Sequence, residues 1–181
     1  EAQTARKAGP AAPKKEDVNR RNPDGSTPLQ WAVHEGNVAE AKRLLRLGAD
    51  LKIANNYGAT PMGLAAEVAS TEMLKVLLEA GADADSPDPD GMTALQAVAR
   101  TGNVAAAQLL IAEGATVDAR EKWGGQTALM WAAAQGQPEM IALLISRGAD
   151  VNVRGAVRDW QRRITAEPRP KDMYRGGLTP L

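Results

Sequence analysis

Apolar positions along the chain fall in short paired clusters separated by polar, glycine-marked breaks. Leu29, Trp31, Ala32 and Val33 form one cluster; past Gly36-Asn37, Ala41, Leu44 and Leu45 follow at helical spacing. The pattern predicts two short helices. Asp24-Gly25 marks a turn before them, with glycine supplying a positive φ. Thr27 is placed to cap the first helix through its hydroxyl, and Pro28 takes the first helical position, where a missing N–H costs nothing. The second helix is predicted from about Val38 to Leu47, with Arg43 and Arg46 near its negative end and Gly48 as a left-handed stop.

The same order recurs along the chain. Its starts are Thr27-Pro28-Leu29, Thr60-Pro61-Met62, Thr93-Ala94-Leu95 and Thr127-Ala128-Leu129. The period is about 33 residues. The first two intervals between threonines are equal, and the third is longer by one. Each start is followed at a constant offset by a glycine: Gly48, Gly81, Gly114 and Gly148. Turns are predicted at Tyr57-Gly58, Asp90-Gly91 and Gly124-Gly125, and the second helices carry Leu77-Leu78, Leu109-Leu110 and Leu143-Leu144. One such helix pair is too small to bury its own apolar face, so a period of this length means units stacked into a solenoid.

These residues resemble the ankyrin repeat over about residues 17–155: a Gly-x-Thr-Pro-Leu start, an Ala-Ala helix, a Gly break and a Leu-Leu helix. Gly148-Ala149-Asp150-Val151-Asn152 keeps the closing motif whole. The resemblance implies an all-α array of helix-turn-helix units with hairpin-like loops projecting at right angles. It also implies binding through the loop tips and the exposed part of the first helices. The wording of the repeats is similar to bacterial ankyrin proteins, many of which are exported, which favours an extracytoplasmic location.

Departures from the family pattern matter as much. The His expected after Thr-Pro-Leu is replaced by Gln30, Gly63, Gln96 and Met130, so the hydrogen bonding at that corner is either lost or remade by glutamine. Ala69 stands where the second repeat should have its inter-helix glycine. A left-handed conformation there would cost about 1–2 kcal/mol. The family normally has a buried Leu where Trp31 and Trp131 stand, and both are expected in the core.

Composition narrows the chemistry. The 181 residues carry equal charge of each sign, no cysteine, no phenylalanine and one histidine, His34. Disulfides, thiolate chemistry and paired-His metal sites are excluded. Zero net charge argues against a dedicated nucleic-acid binder, and no apolar run has the roughly 20 residues a membrane helix needs. The core must be built from small and aliphatic side chains.

Four segments are expected: a flexible, Ala/Pro/Lys-rich leader at 1–17, the four-repeat array at 18–155, a basic insertion loop at 156–177, and the start of an unfinished fifth repeat at 178–181. The chain begins without Met, as a processed or cut form would. Its ends suggest a fragment of a longer array, or self-association through uncapped repeats. The stretch from Val153 to Gly177 holds seven basic and three acidic residues, giving it +4.

The expected function is a non-enzymatic scaffold for an unidentified protein or peptide. Its predicted contact residues are the tip aromatics Tyr57 and Trp123, then His34, Glu67 and Arg100 on the first helices, with Trp160 in the insertion. Mutual packing of Trp123 and Trp160 is the competing reading, as a solvated face is for the helix residues. The alternative function uses Arg158, Arg162, Arg163, Arg169, Lys171 and Arg175 to hold an anionic surface, nucleic acid or phospholipid. No catalytic or metal site and no cofactor is expected. Asp83, Asp85, Asp88 and Asp90 lack the spacing of a calcium loop, and no catalytic or phosphate-binding motif occurs.

Overall fold

The computed structural model of the protein describes residues 18–156. Their helices come in pairs: α1 (Pro28–His34) with α2 (Val38–Arg46), α3 (Pro61–Glu67) with α4 (Thr71–Glu79), α5 (Ala94–Thr101) with α6 (Val104–Ala112), and α7 (Ala128–Ala134) with α8 (Pro138–Ser146). No strand occurs among the described residues. The first helices α1, α3, α5 and α7 pack side by side as one layer, and the second helices as another. The chain is an all-α repeat solenoid.

The helices start where the threonines predict. Thr27, Thr60 and Thr127 hydroxyls accept from the backbone N–H three residues on, and Pro28 and Pro61 open their helices. Asn37, Ser70 and Asn103 cap the second helices in the same way. Helices of seven to nine residues are too short to persist alone, so burial between repeats must hold them. Leu29, Met62, Leu95 and Leu129 are buried in the first layer, and Leu44, Leu77, Leu110 and Leu144 in the second. Truncating any of these leucines to alanine costs about 2–5 kcal/mol.

Two departures resolve cleanly. Gln30 and Gln96 remake the corner that histidine forms in the family. Gln30 Oε1 accepts the Thr27 N–H at 2.8 Å, while its Nε2 donates to the carbonyls of Ile53 and Ala59 in the next loop. Gln96 does the same with Thr93, Ala119 and Gln126. Gly63 has no side chain to reach with, and no such bond forms from Met130 among the described residues. Ala69 is the one non-glycine residue at positive φ among those described, at 49°.

Trp31 corrects an expectation. It is 45% exposed, because α1 turns Leu29, Gln30, Ala32 and Val33 inward and leaves position 31 on the open face. Trp131, in the same register on α7, is partly buried against the core.

Candidate functional site

Each helix pair is preceded by a tight loop, and one residue organises each loop. Asn22, Asn55 and Asp88 hold that place in the first three repeats, and the N–H of each donates to the carbonyl four residues on: Ser26, Ala59 and Met92. Their side chains tighten the turn further. Asn55 Oδ1 accepts the N–H groups of Tyr57 and Ala59 at 3.0 Å, and Asp88 Oδ1 accepts that of Met92 at 2.8 Å. In the fourth loop Glu121 takes this position, but its N–H reaches Gln126, five residues on. This loop is one residue longer.

Bonds between loops identify the added residue. The Asn56 N–H donates to the Asp24 carbonyl at 3.0 Å, the Lys122 N–H to that of Asp90 at 2.8 Å, and the Ala156 N–H to that of Gly124. This register aligns Gly124 with Asp90, Tyr57 and Asp24, and Lys122 with Pro89. Trp123 has no counterpart. The one-residue excess between Thr93 and Thr127 is therefore a tryptophan added at a loop tip, which the period alone does not reveal.

Glu121 makes room for it. Its carboxylate is buried, 6% exposed. Oε1 accepts the N–H groups of Gly124 at 2.6 Å and Gln126 at 2.9 Å, the positions that Asn55 serves in the second loop. Oε2 accepts the extra N–H, that of Trp123. One more methylene than Asp and a second oxygen match one more residue and one more amide. The Trp123 ring stays 58% exposed, and its indole N–H donates to Asp90 on the preceding tip. The indole is thus held in place rather than free to reorient.

The other predicted residues are also outward. Tyr57 is 80% exposed. His34, Glu67 and Arg100 are exposed at the same register on α1, α3 and α5, and no ion pair links them among the described residues. Trp31 joins this row, with its ring 6.0 Å from that of His34 and perpendicular to it. At the first tip, the Ser26 hydroxyl donates to Asp24 at 2.6 Å and, with the Ser26 amide, holds its carboxyl below the ordinary range. Trp160, Arg158, Arg162, Arg163, Arg169, Lys171 and Arg175 lie outside the described residues, as do the leader and the fifth-repeat start.

The acidic run serves the loops. Asp83 accepts the Asp85 N–H, Asp85 accepts from Thr116, Asp88 from Met92 and Asp90 from the Trp123 indole. Among the described residues no His, Asp or Glu group is arranged to hold a metal. None of the described helices is long and apolar enough to cross a membrane.

The sequence model for ankyrin repeats matches residues 12–88 and 65–155, which together make up most of the chain. The chain belongs to the ankyrin repeat family. No curated protein matches it significantly. Ankyrin repeats are generally protein–protein interaction modules and typically non-enzymatic scaffolds.

Proposed function

We propose that this ankyrin repeat protein binds a partner protein or peptide across its loop tips and first helices, with Trp123 and Tyr57 as anchors. The observation that carries this reading is the added residue in the fourth loop. A solenoid gains nothing in packing from an exposed indole, yet a buried carboxylate and a neighbouring aspartate both hold Trp123 in place. Ordered aromatic side chains of this kind dominate binding energy at protein interfaces. Trp31 and His34 would extend the contact over α1, and Glu67 and Arg100 would add charge selectivity.

The test is a binding titration against a partner captured by cross-linking. Trp123→Ala is expected to weaken binding about tenfold or more, about 1.4 kcal/mol, without lowering the thermal midpoint. Full affinity in the variant would show that Trp123 is not a contact residue, and loss of the fold would show that it is structural.

A further inference from the structure

Neighbouring repeats are laced together at their loop end by polar groups recurring at four register positions. Between the first and second loops, Asn19 accepts from Asp50, Arg21 donates to Ala54, Gln30 bridges Ile53 and Ala59, and Asn56 donates to Asp24. Between the third and fourth, Asp85 accepts from Thr116, Gln96 bridges Ala119 and Gln126, and Lys122 donates to Asp90. Beyond the fourth, Asp118 accepts from Asp150, Arg120 donates to Arg154, and Ala156 donates to Gly124.

Between the second and third loops the lacing is absent. The four register positions are filled by Lys52, Ala54, Gly63 and Pro89. Lysine lacks the acceptor, alanine and glycine lack the reach, and proline lacks the N–H. No hydrogen bond joins residues 52–60 to residues 83–92. What remains there is packing, with the Pro89 ring seated where a Gly58 side chain would be.

The opposite edge is the reverse. At the turn between the helices of one repeat, Asn103 Nδ2 donates to the Ala69 carbonyl at 2.7 Å and to Thr71 Oγ1 at 3.1 Å, joining the third repeat to the second. Ser70 and Gln137, in the same register, make no bond to the preceding repeat among the described residues. The second and third repeats are thus bonded at the one edge where other neighbours are not, and unbonded where the others are.

We infer that the array hinges between its second and third repeats. The loops part along residues 52–60 and 83–92, and the Asn103–Ala69 contact acts as the pivot. The hydrophobic drive that packs α3 on α5 is non-directional, whereas the missing loop bonds are the directional restraints that would oppose a rotation. Tyr57 and Trp123 stand on opposite sides, so hinge motion sets the distance between them. The inference does not depend on whether those residues bind a partner.

The chain has no cysteine, so introduced pairs take spin labels cleanly. Nitroxides at Ala54→Cys with Pro87→Cys span the hinge, and Pro87→Cys with Arg120→Cys span the laced neighbour. The first pair should give the broader distance distribution by dipolar line shape, and adding Lys52→Asp with Gly63→Gln should narrow it to the width of the second. Equal widths, or a width unmoved by restored lacing in a folded variant, would overturn the hinge. On the unlabelled chain, residual dipolar couplings should require separate alignment tensors for residues 18–81 and 82–156. One tensor fitting both would overturn it as well.

Discussion

Ala69 sits at a φ of 49°, in the region that glycine fills at the three equivalent turns, Gly36, Gly102 and Gly136. The conformation persists because the surroundings over-determine it: the Ser70 N–H is bonded to Ala65, and Asn103 holds the Ala69 carbonyl from the next repeat. Ala69→Gly is expected to stabilise the array by about 1 kcal/mol, since relief of left-handed strain outweighs the added freedom of the unfolded chain. Urea denaturation checks this; a loss of stability would mean that the alanine methyl contributes packing that outweighs the strain. The strain was legible in the sequence, because a glycine-marked break recurs in three copies and fails in one. The exposure of Trp31 was not. Its family counterpart is a buried leucine, and only the inward turn of Leu29, Gln30, Ala32 and Val33 decides which face position 31 is left on.

At the scale of the element, the fourth loop is a unit in which side-chain length and loop length are matched. Glu121→Asp should destabilise it by about 1–3 kcal/mol, because a shorter carboxylate leaves part-buried N–H groups without their acceptor. Deleting Trp123 in the Glu121→Asp background should recover most of that loss by recreating the five-residue turn of the third loop. Thermal unfolding of the wild type and the two variants tests the pairing, and no recovery on deletion would refute the assigned register. Helix starts were readable because a Thr cap, a Pro and a turn glycine act within a few residues of one another. The role of Glu121 was not, since a glutamate in a loop ordinarily reads as solvated. The available signal was a longer acid at a position otherwise held by Asn or Asp, coinciding with the one interval that exceeds the period.

Across the whole molecule, stability is a sum over neighbours, so a missing bridge is felt at one boundary and not elsewhere. Gly63→Gln should raise overall stability by about 1–2 kcal/mol, combining removal of a mid-helix glycine with a bridge to the third loop. A Cβ at Gly63 would meet only Thr60 Oγ1, at 3.5 Å, an ordinary contact, so the position accepts a side chain at its first carbon. Calorimetry of the variant checks it; an unchanged or lowered midpoint would show that the bridge does not form. The solenoid itself was legible from periodicity, but the uneven lacing was not. It emerges only when donors and acceptors one repeat apart are paired, and such pairing depends on which side chains turn toward the next loop.

The register of the fourth loop has a second consequence. Lys122 gives its N–H to the loop before, and Gly124 gives its carbonyl to the segment after, so these two backbone bonds to the neighbouring loops flank Trp123. Closure entropy rises slowly with length, by about 0.6 kcal/mol per doubling. A foreign epitope or reporter peptide inserted there is expected to leave the stacking in place, since the two backbone bonds that tie this loop to its neighbours lie on either side of it.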